Sequence, residues 1–409
     1  MNKTNLRKFA KLIVKRGVNV QKNQVVYVNA SIEAAPLVEY VVEECYKAKA
    51  SKVTVDWSYQ PVSKLNAIYR SLESLSEVPT FVEEELKYKA EVLPAMIHIL
   101  SDDPDGMDGI DHVKMAKANQ KRFPIIRKYR EQMDSKYQWT IVGYPGEKWA
   151  QKVFPNDTKK NAVKKLEKAI LDVTRVSEKD PIKAWDLHNE RIHDKCDKLN
   201  ELNFDYLVFK SDNGTNLKIH LAEDHVWCGG NSPTLESNIW YNANMPSEEV
   251  FTMPHRNKVD GIVYSTKPLS YMGQLIENFS IEFKDGKAVN CKAEKGEEIL
   301  KQMISMDEGA SYLGEVALVE VTSPINLSNI LFYNTLYDEN ASCHLALGRA
   351  YNDNIKDFDK LSEEELNNKG RNLSMIHVDF MIGCDSTSIE GYTFDGKKVQ
   401  VFENGKFVL

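Results

Sequence analysis

Residues 25–57, VVYVNASIEAAPLVEYVVEECYKAKASKVTVDW, contain the pattern that decides the fold of the first half of the chain. Val25–Ala30 is a short apolar run and Lys52–Trp57 alternates, so each run predicts a β-strand. Ile32–Ala50, between them, has the periodicity of a helix. A strand, a helix and a strand of these lengths are typical of a βαβ unit in a parallel sheet.

The same alternation continues outward from this unit. Ala95–Leu100 (AMIHIL) and Trp139–Tyr144 (WTIVGY) predict two further strands, separated by a helical stretch over residues 111–133. Residues 157–200 are polar and helical, with a break near Asp180-Pro181. We therefore expect residues 1–200 to form an α/β N-terminal domain with a mostly parallel sheet, ending in a helical connection.

The second half of the chain has a different pattern of predicted secondary structure. Asn213-Gly214 lies between YLVFKS and NLKIHL, which is a strong hairpin signal, and Asp285-Gly286, Asp395-Gly396 and Asn404-Gly405 indicate further hairpins. Lys295–Met306 predicts one helix in this half. Residues 201–409 are thus predicted to form an α+β C-terminal domain with mainly antiparallel strands.

Composition and missing motifs exclude several classes of protein. The 53 Lys and Arg residues are outnumbered by 60 Asp and Glu residues, giving a net charge of −7 and no basic patch for nucleic acid or an anionic membrane. No apolar run is long enough to span a membrane, so a soluble protein is expected. The NASIEAAP that follows Val28 contains no glycine, which argues against a Rossmann dinucleotide site.

The cysteines and the N-terminus indicate the compartment. Six cysteines are far apart and form no CxxC pair, so we expect free thiols in a reducing cytoplasm. Lys11, Lys15 and Arg16 interrupt the apolar residues of the N-terminus, which therefore predicts an amphipathic helix rather than a secretory signal.

Four segments of the second half place carboxylates or histidines beside apolar residues. They are PSEEVFT (246–252), LGEVALV (313–319), YDENASCHLALGRAY (337–351) and IHVDFMI (376–382).

Each segment alone has an ordinary structural explanation. Glu248 and Glu249 fit an acidic cap or a solvated turn, which is the favoured explanation for them in isolation. His377 and Asp379 point to one face of a strand, where they could form a simple hydrogen-bonded pair. Glu315 fits less well, because a buried carboxylate needs a cation or a hydrogen-bond network.

The third segment is similarly ambiguous. His344 and Tyr351 are seven residues apart and would share a helix face if the segment were helical, as a core histidine and tyrosine also would. Cys343 is adjacent to His344, and neighbouring side chains diverge, so a cysteine nucleophile activated by that histidine is not expected.

Together the segments favour a site for two divalent metal ions. Several carboxylates and two histidines without cysteine suit zinc, cobalt or manganese. Two ions about 3.5–4 Å apart need a bridging carboxylate and terminal ligands. The candidate ligands are Glu249, Glu315, Glu339, His344, His377 and Asp379.

At these residues the sequence resembles the M29 family of thermophilic metallo-aminopeptidases. NMPSEEVFTMPHRNKVDGIV (244–263) is similar to the family's signature around its first metal-binding glutamate, and LGEVALV, YDENASCHLALGRAY and IHVDFMIG follow in the family's order. Ser247 and Ser342 stand where the family pattern has Thr and Ala, and every candidate ligand is kept. The resemblance covers essentially the whole chain.

The resemblance implies an enzyme that removes the N-terminal residue of peptides with a free N-terminus, using water activated by two metals. It places Glu249, Glu315, His344, His377 and Asp379 at the metals, with Glu315 or Asp379 as the bridge, and Glu339 in a matched motif. It gives catalytic roles to Glu249, Glu315 and Tyr351, and it implies a homodimer. Which glutamate is base and which is ligand stays open, as do the native metal and the preferred side chain.

Two other classes compete with this interpretation. One is a non-catalytic ligand-binding protein of two domains, which needs no clustered buried carboxylates. The other is a two-metal amidase or phosphodiesterase with the same ligands. The segment from His220 to His225 also carries polar side chains, but it follows a hairpin outside the ligand segments and is expected to lie outside the metal site.

Overall fold

The structure, a computed structural model, describes residues 1–409. The chain divides into two compact units. One comprises Met1–Asp186 with Asn231–Pro246, and the other comprises Leu187–Gly230 with Ser247–Leu409. The division into domains after residue 200 stays a prediction. The compact units differ from it because the first unit ends earlier and takes in a later segment.

The α-helices are α1 Lys3–Leu12, α2 Ala35–Lys47, α3 Gln60–Tyr69, α4 Leu72–Ser76, α5 Thr80–Val92, α6 His112–Met133, α7 Glu147–Val153, α8 Lys159–Val173, α9 Pro181–Leu202, α10 Glu297–Ile304, α11 Pro324–Leu327, α12 Thr335–Asp338 and α13 Glu363–Asn368. None is long and apolar enough to cross a membrane.

The strands are β1 Val25–Ser31, β2 Lys52–Ser58, β3 Ala95–Leu100, β4 Trp139–Gly143, β5 Phe204–Lys210, β6 Asn216–Leu221, β7 Cys228–Gly229, β8 Ser232–Pro233, β9 Trp240–Tyr241, β10 Asn244–Met245, β11 Val250–Thr252, β12 Pro254–Tyr264, β13 Leu269–Tyr271, β14 Gln274–Lys284, β15 Lys287–Lys295, β16 Leu313–Leu318, β17 His344–Gly348, β18 His377–Met381, β19 Ser388–Thr393, β20 Lys398–Glu403 and β21 Lys406–Phe407.

The first unit is built on a parallel sheet in the order β10-β4-β3-β1-β2. Val26, Val28 and Ile97 are fully buried in its central strands, and helix α2 buries Leu37 and Val41. The βαβ unit predicted from residues 25–57 is thus confirmed. The predicted N-terminal helix is α1, which Asn2 caps by accepting a hydrogen bond from the Asn5 N–H.

The second unit contains two antiparallel sheets. The larger has nine strands, and β5 and β6 form its predicted hairpin, where Gly214 takes the positive φ that the turn requires. The smaller has the order β18-β17-β16-β11-β7. Together with the first unit, this confirms the predicted fold class, a parallel α/β part followed by a mainly antiparallel α+β part.

The core of the second unit lies between these two sheets. Phe279 on β14 and Phe380 on β18 contact each other with ring centroids 5.7 Å apart, and both are buried. Val316 and Leu345 pair across the smaller sheet and belong to the same core. One face of the smaller sheet is therefore apolar and covered, which leaves its opposite face for other side chains.

Candidate metal centre

The register of the smaller sheet places four of the predicted ligands on one face. Ala346 on β17 pairs with Glu315 on one side and Asp379 on the other, so these three share a face. His344 lies two residues before Ala346, and His377 lies two residues before Asp379, so both histidines join that face. The segment from His344 to Gly348 is a strand, and the helical alternative for it was wrong.

A β-bulge at Gly314 turns Glu315 onto this face. Leu313 pairs with Leu347 on the core side, so regular alternation would put Glu315 on the core side as well. The register shifts by one residue between Leu313 and Glu315, which reverses the direction of the carboxylate. A Cβ on Gly314 would lie 2.4 Å from the carbonyl oxygens of Gly348 and Arg349, so the bulge needs glycine.

Two further carboxylates reach the face from outside the ladder. Glu249 immediately precedes β11, and Phe251, two residues later, pairs with Ala317 on the site side of the sheet. Glu339 lies in a 3₁₀ turn that follows helix α12. Both glutamates are buried.

The side chains form two groups that share one residue. The ligand atoms of Glu249, Glu315 and His344 lie within 4.8 Å of one another, and so do those of Glu315, His377 and Asp379. His344 Nε2 is 3.0 Å from Glu249 Oε2 and 3.5 Å from Glu315 Oε1. His377 Nε2 is 3.3 Å from Asp379 Oδ1 and 3.6 Å from Glu315 Oε2. Of the six predicted ligands, Glu339 is outside both groups.

The histidine hydrogen bonds leave each Nε2 available. His344 Nδ1 is 3.2 Å from the Ser342 carbonyl oxygen, and His377 Nδ1 is 2.6 Å from that of Arg349. A carbonyl only accepts, so Nδ1 carries the donated proton in both rings and Nε2 faces the carboxylates. His344 Nε2 is buried and makes no well-aligned hydrogen bond, although Glu249 is close. An orphaned imidazole nitrogen beside carboxylates fits a metal ligand.

The charges of the cluster are unbalanced. Four carboxylates, those of Glu249, Glu315, Glu339 and Asp379, exceed the two positive charges that both imidazoles could carry. Burial raises the pKa of Glu315 to about 7, although His344 and His377 oppose the shift. Burial, with Asp379 and Glu249 nearby, raises the pKa of Glu339 well above its ordinary value. Buried carboxylates in excess over the imidazoles favour the binding of positive charge at this cluster.

The neighbouring carboxylates also shift the pKa values of the two histidines. Burial acts to lower the pKa of His377, but Asp379 and Glu315 outweigh it and raise the value to about 9. Burial is outweighed at His344 as well, where Glu249 and Glu315 raise the pKa. Burial would raise the pKa of Asp379, but His377 outweighs it and lowers the value.

Tyr351 lies at the edge of the cluster. Its ring centroid is 4.7 Å from that of His377 and 6.3 Å from that of Phe251. The residue is 40% exposed, yet burial of its hydroxyl and the nearby carboxylates of Glu315 and Asp379 raise its pKa well above the ordinary value. The hydroxyl therefore keeps its proton at neutral pH and can donate a hydrogen bond.

The segment from His220 to His225 contributes nothing to either group. His220 lies on β6, with Nδ1 3.0 Å from Asp205 Oδ1. His225 is buried, its Nδ1 is 3.1 Å from the Ala222 carbonyl oxygen, and burial lowers its pKa to about 4.

Sequence reasoning missed the groups that orient the ligands. The carbonyls of Ser342 and Arg349 fix the histidine rings, and the side chain of Asn340 contacts both the Glu248 N–H and Glu339. Backbone carbonyls leave no trace in a sequence. Asn340 carried a signal, since it is a polar residue between a candidate ligand and an apolar strand.

Comparison with known proteins supports the family resemblance seen in the four sequence segments. A family model described as thermophilic metalloprotease (M29) matches residues 2–407. Aminopeptidase AmpS of Bacillus subtilis is 45% identical, covering 99% of this chain and 98% of that protein, and aminopeptidase T of Thermus aquaticus is 37% identical over the same shares. The structure of wild-type AmpT from Thermus thermophilus superposes with a TM-score of 0.90 at 35% identity over 100% of both chains. The chain belongs to the M29 family of thermophilic metalloproteases, and it is a peptidase.

Proposed function

We propose that this protein is an aminopeptidase that holds two divalent cations in the cluster described above. Glu249, Glu315 and His344 form one site, and Glu315, His377 and Asp379 form the other. The observation that carries the proposal is the membership of Glu315 in both groups, because a bridging carboxylate is what two adjacent ions require. The curated relatives, which are themselves aminopeptidases, support the same reaction.

The ligand set also narrows the metal. It consists of carboxylate oxygens and imidazole nitrogens, and the cysteine beside it, Cys343, donates to the Val319 carbonyl instead. Such a set suits zinc, cobalt or manganese. The alternative of a non-catalytic binding protein needs no buried carboxylate cluster, so the cluster weighs against it.

The chemistry follows from the residues around the scissile bond. Bound divalent ions supply a lowered pKa for water and a polarised carbonyl group. Glu249 or Glu315 accepts the proton of the attacking water and passes it to the leaving amine. The Tyr351 hydroxyl, which keeps its proton, donates to the oxygen on which charge develops. The free α-amine of the substrate would bind one of the metal ions or a nearby carboxylate, which limits cleavage to a free N-terminus.

The proposal also includes the compartment, the oligomeric state and the substrates of the enzyme. Its six cysteines are free thiols, which fits a reducing cytoplasm. The family resemblance supports a homodimer, and peptides with free N-termini are the substrates.

Metal titration tests the proposal. Chelator-treated protein should bind Co²⁺ or Zn²⁺ to a stoichiometry of two per chain by calorimetry and elemental analysis, and hydrolysis of an amino-acid arylamide should return with the metal. A stoichiometry of one would contradict the two-metal site. Full activity of metal-free protein would contradict the metal dependence altogether.

A further inference from the structure

The side chain of Asn340 links two parts of the acid cluster that the sheet does not hold. Asn340 is fully buried in the 3₁₀ turn after Glu339. Its Oδ1 accepts a hydrogen bond of 2.7 Å from the Glu248 N–H. Its Nδ2 lies 3.1 Å from the Leu336 carbonyl oxygen and 3.4 Å from Glu339 Oε1. One amide therefore contacts the segment before β11 and the carboxylate of its own neighbour.

Unlike the other candidate ligands, Glu249 and Glu339 do not lie on a β-strand whose pairing fixes their position. Glu315, His344, His377 and Asp379 take their positions from β16, β17 and β18, whose backbone hydrogen bonds fix their register. Glu249 precedes the first residue of β11, and Glu339 lies on a turn, so another device must fix the distance between them. Asn340 is held in turn by its backbone carbonyl, which accepts a hydrogen bond of 2.5 Å from Ser323 Oγ.

The chemistry of the contact requires an amide. The Glu248 N–H needs an acceptor, and the Glu339 carboxylate needs a donor. Asparagine offers both in one rigid plane. Aspartate keeps only the acceptor, and leucine or alanine provides neither.

We propose that Asn340 is a positioning residue that sets the separation of Glu249 and Glu339 and thereby tunes the affinity and geometry of the metal centre. This inference rests on the proposed two-metal function. Groups that orient metal ligands in this way typically change metal affinity by roughly ten- to hundred-fold when removed.

The test uses Asn340→Ala and a matched control. Asn200 makes the same kind of two-way contact, since its Oδ1 accepts from the Trp227 N–H at 2.8 Å and its Nδ2 donates to the Trp227 carbonyl at 3.1 Å. Neither contact involves the acid cluster. Asn200→Ala therefore reports the cost of losing such a bridge elsewhere in the same unit.

The measurements are Zn²⁺ affinity by competition with a chromogenic chelator and the visible spectrum of the Co²⁺-loaded protein, with thermal unfolding as the check on folding. Asn340→Ala should bind Zn²⁺ roughly ten- to hundred-fold more weakly and change the Co²⁺ spectrum, while Asn200→Ala keeps both at wild-type values. Unchanged affinity and spectrum in folded Asn340→Ala would overturn the proposal, as would an equal loss in Asn200→Ala.

A second variant covers failure of the first to fold. Asn340→Leu fills a similar volume but provides neither the acceptor for the Glu248 N–H nor the donor to Glu339, so the Glu249 segment loses its anchor and the Co²⁺ spectrum should still change. A wild-type spectrum in that variant would overturn the proposal. Absence of metal binding by the wild-type protein would instead refute the proposed function, which separates the two failures.

Discussion

Glu315 is the residue on which the proposed chemistry depends most. It lies on a strand whose six residues are all buried, and both candidate metal groups include it. Removing a ligand from one group leaves the other intact, whereas losing Glu315 affects both.

Glu315→Gln is therefore expected to abolish activity with the fold intact. The amide keeps the volume of the side chain, but it is neutral and can neither bridge two cations nor accept a proton. Turnover should fall below a few per cent of wild type, with unchanged circular dichroism. Higher residual turnover with metal still bound would place Glu315 outside the metal coordination.

His377→Ala should lower metal content and activity together, with partial rescue by excess zinc or cobalt. One lost ligand weakens metal affinity without removing the site, because the other ligands remain. His220→Ala is the matched control, because His220 pairs with Asp205 on β6 and contacts no candidate ligand. Elemental analysis decides between them. Metal loss in the His220 variant alone would show that the ligands are assigned to the wrong histidines.

Burial of His225 leads to a separate prediction about the stability of the folded protein in acid. Burial lowers its pKa from 6.5 to about 4, so the unfolded chain takes up the proton first as the pH falls. This residue should leave stability unaffected above pH 6.5 and remove about 3 kcal/mol from the free energy of unfolding between pH 6.5 and 4.

Urea unfolding of metal-free protein at pH 7 and pH 4 measures that loss. His225→Asn keeps a donor for the Ala222 carbonyl but does not titrate, so its stability should fall by about 3 kcal/mol less over that range than wild type. Equal pH dependence in the two proteins would show that His225 is not held neutral by burial.

At the scale of elements, the sequence predicted the strand of His377 and Asp379, but neither the strand of His344 nor the register of the sheet. HVDFM shows plain alternation, and its His377 and Asp379 do share a face as predicted. LGEVAL is different, because strict alternation puts Leu313 and Glu315 on the same face. The bulge that separates them depends on which strand pairs with β16, and that partner, β17, begins 26 residues after β16 ends. A local pattern contains no such information.

Gly314→Ala tests the bulge. The added Cβ would meet two carbonyl oxygens at 2.4 Å, so the strand must shift exactly where it orients Glu315. We expect a loss of metal affinity together with a clear fall in the melting temperature. Gly396→Ala is the control, since nothing lies within 4 Å of its Cβ and only its positive φ is strained, at a cost of about 1 kcal/mol. Unchanged metal affinity in Gly314→Ala would mean that the bulge does not position the ligand.

At the scale of the whole molecule, the sequence predicted both halves of the fold but gave no sign of one segment of the parallel sheet. The long strands and helices show the periodicity of apolar residues that is typical of each type of element. The segment Asn231–Pro246 has none, because its strands are two residues long, yet β10 pairs with β4 and completes the parallel sheet. A two-residue strand shows no alternation, so neither β10 nor its pairing with β4 could be predicted from the sequence.

The most direct test of the central claim compares one amino-acid arylamide in its free and N-acetylated forms, each with and without chelator. The free form should be hydrolysed only by the metal-loaded protein. The acetylated form should be hydrolysed by neither the metal-loaded nor the chelator-treated protein, because acetylation removes the free α-amine that a metal ion or a carboxylate would bind. Chelator-sensitive hydrolysis of both forms at similar rates would contradict an aminopeptidase, and chelator-resistant hydrolysis of the free form would contradict the metal centre.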